Sequence, residues 1–179
     1  MPHDTIPQPW HDFLHEVDAA LVEPITLHCI GGFVVCVRYG LERPTNDIDY
    51  FSIEPIDSDA ALMEVAGEGT ALARRFGLYF QHVPIITLPE SYADRLTEIF
   101  PHAFRNLHLM VPDPYDLALS KLERNIQRDR DDVAFLALAV PLQGRVLKDR
   151  YEQELRPYLA NEARHDLTLK LWLESYFRE

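Results

Sequence analysis

From Ile25 to Ile53 the chain changes character three times. A short, partly β-branched run (Ile25-Thr26-Leu27-His28-Cys29-Ile30) leads into Gly31-Gly32 and an apolar stretch from Phe33 to Tyr39. After the turn from Gly40 to Thr45 comes a second run, Asn46-Asp47-Ile48-Asp49-Tyr50-Phe51-Ser52-Ile53, rich in aromatic and β-branched residues. The first run predicts a strand, the glycine pair a turn, the apolar stretch a short helix and the last run a second strand. Strands interleaved with a helix point to the α/β or α+β classes.

The rest of the chain fits that frame. Trp10, Phe13, Leu14, Val17, Ala20 and Leu21 recur at helical spacing, so residues 10 to 22 read as an amphipathic helix that Pro24 ends. A helix is expected over 59 to 75, with Gly77 as its stop, then a strand over 78 to 83. Pro84 and Pro89 bracket a loop or edge strand, followed by a short helix over 91 to 100 and a strand over 107 to 111. From Pro114 the pattern is helical: 114 to 128, 132 to 140, 145 to 159 and 162 to 177. The expected fold is α+β (α/β): a small sheet flanked by helices over residues 1 to 112, with a C-terminal helical bundle over 113 to 179 packed on it in one compact domain.

Composition excludes some functions. A net charge of −12 argues against general binding to nucleic acid, whose affinity comes largely from Lys and Arg neutralising phosphates. No stretch reaches the roughly 18 uninterrupted apolar residues of a membrane span, and Met1-Pro2-His3-Asp4 lacks a signal-peptide layout, so a cytoplasmic protein without membrane partners is expected. Cys29 and Cys36 lie in apolar runs and read as buried, reduced thiols. Among the histidines, which include His3, only His11 and His15 have a spacing a metal could use. They sit at the polar border of the first helix and read as surface residues.

Asp47 and Asp49 are the candidate metal ligands. The period of a strand sends both carboxylates to one face and Ile48 to the other. Like charges placed side by side on a sheet are costly unless a cation lies between them. Hard oxygen ligands suit Mg²⁺, which takes one or two carboxylates and fills its octahedron with water and substrate phosphates. A bare Asp-x-Asp is more often a solvated pair. The setting here is more selective, because Gly31-Gly32 opens a helix straight after a strand, where backbone N–H groups can meet a phosphate.

The segment Gly31-Gly32-Phe33-Val34-Val35 through Tyr39-Gly40, followed by Arg43-Pro44-Thr45-Asn46-Asp47-Ile48-Asp49, resembles the signature of the DNA polymerase β-like nucleotidyltransferase superfamily. Its Arg-x-Thr-x-Asp-x-Asp form is similar to the minimal nucleotidyltransferases and the AbiEii/MenT-type toxins of toxin-antitoxin systems. The resemblance implies a mixed sheet of the nucleotidyltransferase fold, with Mg²⁺ (or Mn²⁺) on Asp47 and Asp49. It further implies NTP phosphates, ATP among the candidates, near Gly31 and Gly32, with Arg43 and Thr45 on the phosphate side. The acceptor can be an RNA or tRNA end, a protein or a small molecule, and a cognate antitoxin would be a partner.

A second stretch carries chemistry. On a continuous helix Lys121, Arg124, Asn125, Arg128 and Asp132 would share one polar sector opposite Leu119, Leu122, Ile126 and Val133, a stripe suited to triphosphate oxygens. The plain alternative is a solvated face with pairs such as Arg128 and Asp132. The toxin-like families place a helical Lys ahead of a spaced pair of acids. That resemblance implies Lys121 and Arg128 for phosphate, and Asp129 or Asp132 to orient the acceptor or take its proton. Asp129 or Asp132 also reads as the N-cap of a helix beginning near Val133. Many members of the superfamily carry a third acid on a later strand, and Leu78-Tyr79-Phe80-Gln81-His82-Val83 has none. His82 could stand in as a base, and the vacancy near Gln81 also fits a catalytically inactive relative that binds a nucleotide or a protein.

Overall fold

The structure is a computed structural model and describes residues 5–177, so His3 and the N-terminal tetrapeptide lie outside the described residues. The chain divides into a sheet unit, Pro2–Ile85 with Thr97–Val111, and a helical unit, Ile86–Leu96 with Pro112–Glu179.

The sheet unit holds α1 (Trp10–Ala20), β1 (Ile25–Ile30), α2 (Gly31–Phe33) running on into a π-helical turn (Val34–Arg38), β2 (Asp47–Glu54), α3 (Asp59–Ala66), α4 (Ala71–Phe76), β3 (Tyr79–His82), β4 (Thr97–Ile99) and β5 (Leu107–Val111). The strands form one mixed sheet in the order β3-β2-β1-β5-β4. β1 pairs antiparallel with β2 and parallel with β5, β2 pairs parallel with β3, and β4 pairs antiparallel with β5. Ile48 and Tyr50, with their register partners Phe80 and His82, mark one face. Phe13 of α1 stacks on Phe80 at 5.9 Å and meets Phe76 edge-on at 5.8 Å, so α1 closes the core over this face. Asp18 fixes the entry to β5: its carboxylate accepts from the backbone N–H groups of Arg105, Asn106 and Leu107.

Two expectations within this unit need correction. The helix expected over 59 to 75 is two helices, because Gly67 leaves helical geometry (ψ 166°) and bridges to the backbone of Phe80. Thr70 then starts α4 by accepting from Ala73 N, and Gly77 ends it in the left-handed region. The helix expected over 91 to 100 shrinks to a 3₁₀ turn, Tyr92–Arg95, and Thr97–Ile99 becomes an edge strand on β5. Short β-branched segments take the conformation that offers a ladder.

The helical unit contains α5 (Pro114–Leu119), α6 (Gln127–Ala139), α7 (Gly144–Arg150) continued by a π-helical turn (Tyr151–Leu155), and α8 (Glu162–Tyr176). The fully buried Asp116 receives both Arg95 (2.8 Å) and Arg150 (2.9 Å), and Arg95 also reaches Glu154 at 2.7 Å. Burial pushes the Asp116 carboxyl up, against the opposing pull of the two arginines. Composition offers no means of foreseeing this network, since its members are scattered from residue 95 to 154. The helix expected over 114 to 128 is broken. Ser120 Oγ donates back to Leu117 O, and Asn125 sits at φ 47°. A new helix then starts at Gln127, so Asp129 lies in its first turn and caps no helix at Val133. Ile126, expected in the core, is 47% exposed, while Leu119, Leu122 and Val133 are buried.

Among the described residues no helix is long and apolar enough to cross a membrane. Both cysteines are thiols outside any disulfide among the described residues; Cys29 is buried and Cys36 half-buried, its thiol donating to Arg43 O at 3.4 Å.

Candidate functional site

β2 presents Asp47 and Asp49, both half-buried, on the face opposite Ile48 and Tyr50. In register beside them on β3 stand Tyr79 and Gln81, and Ile30 of β1 pairs with Asp49. Thr45 Oγ1 donates to Asp47 Oδ1 at 3.0 Å, which fixes one carboxylate from the turn that precedes the strand. Arg43 is half-buried in the same turn. Asp49 is placed by close approach. Gly31 has φ 77°, and a side chain on it would bring Cβ within 3.2 Å of Asp49 Cβ and Cγ and nearer still to Oδ2. Glycine is required there on both counts, left-handed backbone and contact. The negative potential reaches the neighbours: the Tyr79 phenol is pushed up, first by burial and then by Asp47, Glu68 and Asp49.

His82, the stand-in base, is the register partner of Tyr50 and so belongs to the other face. It stacks on the Tyr50 ring (5.2 Å, 7°), with its Nδ1 3.6 Å from Asp59, the carboxylate that accepts from Tyr50 Oη at 2.6 Å. Gln81 therefore stands beside Asp49 on the carboxylate face.

The donor set fits a hard divalent cation: two carboxylates on one accessible face, one steadied by a hydroxyl and one pressed on a glycine cradle. Among the described residues no group of three or more His, Cys, Asp or Glu side chains could hold an ion alone. An ion on this pair must complete its shell with water or substrate oxygens.

In the helical unit, the turn over residues 120 to 125, not helical periodicity, brings basic and acidic residues together. Lys121 is buried, and its Nζ donates to Asp132 Oδ2 at 2.7 Å. Arg124 forms a bidentate pair with Asp129 at 2.8 and 2.6 Å, and Asp129 Oδ2 also accepts from Ile126 N. Burial pushes the Asp129 carboxyl up, but the hydrogen bonds and charge of Arg124, with the charge of Lys121, outweigh it and leave the group below its ordinary value. Both acids are buried, and each holds a cation. Arg128 projects from the exposed start of α6. His11 and His15 contact one another (4.4 Å between rings) on the border of α1, whereas His165 is buried.

A mixed sheet with a glycine turn after one strand and paired aspartates on the next defines the nucleotidyltransferase class, with helices following the sheet. Residues 14–178 match the family described as nucleotidyltransferase of unknown function, DUF6036, and the chain belongs to that family. No curated protein and no solved structure matches the chain.

Proposed function

We propose that this nucleotidyltransferase is metal-dependent and transfers a nucleoside monophosphate from an NTP to an acceptor. The observation that carries the reading is the placement of Asp47 and Asp49 on one accessible face, with Gly31 packed against Asp49. Asp47 and Asp49 hold Mg²⁺, for which Mn²⁺ can substitute. When bound, the ion neutralises triphosphate oxygens and polarises the α-phosphorus for in-line attack. Thr45 keeps the Asp47 carboxylate in one rotamer. Gly31 and Gly32 are assigned to the turn whose backbone N–H groups meet a phosphate. Arg43 is assigned to the charge that builds on the pyrophosphate leaving group. Asp132 and Asp129 act as positioning carboxylates for Lys121 and Arg124.

The acceptor is not chosen by the fold. RNA ends, proteins and small molecules are to be compared directly by incubating the protein with each labelled NTP, Mg²⁺ and each acceptor class. Label transfer is expected and should vanish in Asp47→Asn with Asp49→Asn; transfer that persists would refute the site. A toxin role predicts growth arrest on expression, relieved by the product of a neighbouring reading frame.

The second reading, a relative that binds nucleotide without turnover, is favoured by Gln81 beside Asp49. It predicts metal-dependent NTP binding in calorimetry, with no label transferred to any acceptor.

A further inference from the structure

In the sheet unit, a groove of about 580 Å³ opens where the end of α1, the start of β1 and α3 meet. Leu21, Ile25 and Val65 line it. Val22, on its edge, is 93% exposed, and Ile56, in the adjoining turn, is 72% exposed. These are large aliphatic side chains left in water at the groove and in the turn that borders it, exposed apolar surface of the kind that marks an interaction site. The polar lining is of one sign. Glu23, Asp57 and Glu64 are all exposed, no Lys, Arg or His lines the groove, and none of the three acids takes part in an ion pair among the described residues. Elsewhere in the unit, exposed Glu16 pairs with Arg75 and Glu98 with His108.

The groove is remote from the aspartates. β1 has Ile25 at the groove end and Ile30 beside Asp49 at the other, about 17 Å apart at the rise of a strand. An occupant of the groove would leave the Asp47–Asp49 face open, and the two surfaces can be filled independently.

We infer that this groove docks a cationic amphipathic segment of a partner protein, whose apolar side chains fill the Leu21–Ile25–Val65 floor while its Lys or Arg residues meet Glu23, Asp57 and Glu64. Apolar burial supplies the affinity. The unpaired carboxylates supply sign selectivity and faster encounter, helped by the net charge of −12. A membrane surface is disfavoured, because acidic rims are repelled by anionic lipid headgroups.

The test uses the full chain and a fluorescein-labelled Leu/Lys amphipathic helical peptide of about 18 residues, with a Leu/Glu peptide of the same apolar stripe as control. At about 0.15 M salt the Leu/Lys peptide should bind and the Leu/Glu peptide should not. Amide shift changes should fall on residues 20–25 and 55–65. Val22→Ser with Ile56→Ser, and separately Glu23→Lys with Glu64→Lys, should each weaken binding by about tenfold or more while the urea midpoint holds. Shift changes that fall elsewhere on the acidic surface, equal binding of the Leu/Glu peptide, or affinity unmoved by the charge reversals would overturn the proposal. So would a concentration-dependent dimer that Ile56→Ser abolishes, since the occupant would then be a second copy.

Discussion

Single residues set the geometry of the candidate site. Gly31 is the most constrained, for its backbone is left-handed and its Cα faces the Asp49 carboxylate. Gly31→Ala should cost at least about 1–2 kcal/mol from the backbone alone and displace Asp49. Urea midpoints and Mn²⁺ binding followed by electron paramagnetic resonance should fall together, and a variant that loses stability yet binds Mn²⁺ normally would separate the glycine from the site. The Lys121–Asp132 pair makes the opposite case, a buried charge pair whose worth lies in its completeness. Lys121→Met strands Asp132 and should destabilise by about 3–5 kcal/mol, whereas Lys121→Met with Asp132→Leu should regain most of that loss in urea unfolding. Should the double variant be no more stable than the single, the penalty of an uncompensated charge would not explain the effect.

Among the elements, α6 shows how a helix can begin without an obvious signal. Its first free N–H, that of Ile126, is taken by Asp129, which also anchors Arg124. Because the folded carboxyl sits below 3.8, the stability it contributes is present above that value and is lost as pH falls through the folded value. Asp129→Asn should therefore lower the urea midpoint at pH 7 and flatten its decline below about pH 4; parallel curves for the two proteins would count against this assignment. The same element marks where the sequence was readable and where it was not. Asp47 and Asp49 were placed correctly by the period of a strand, and Gly31-Gly32 by the change from strand to helix. The break after Leu119 was hidden, since Ser120 to Asn125 contain no Gly or Pro, and the turn is held by tertiary contacts such as Trp172 Nε1 donating to Asn125 Oδ1 at 3.2 Å. Lys121 and Asp132 were singled out for a shared helical stripe, and they meet by a turn instead. That residues 78–83 contain no acid is legible in the sequence, but only the β2–β3 register puts Gln81 next to Asp49 and sends His82 to the other face.

At the scale of the whole chain, composition read the broad class and little else. The switch from mixed to all-helical patterning near Pro112 marked where the helical segments begin, yet residues 86–96 join the helical unit although they lie between strands. Ionic pairs from distant segments, such as Arg95 with Asp116 and Glu154, secure that loop, and pairing between distant residues leaves no local pattern to read.

The central place of β1 has a kinetic consequence. Its antiparallel partner is near in sequence, Ile30 with Asp49 being 49 − 30 = 19 residues apart, while its parallel partner is distant, Ile25 with Leu107 being 107 − 25 = 82 apart. Closing the longer loop costs about 1 kcal/mol more in chain entropy. The hairpin bearing the two aspartates should thus form ahead of β5 and its edge strand. Stopped-flow refolding should show Ile53→Val slowing folding and Ile99→Val chiefly hastening unfolding, and the reverse pattern would place the nucleus on β4 and β5. The surface that carries Asp47 and Asp49 would then be shaped early, by local pairing, while the remainder of the sheet is still assembling.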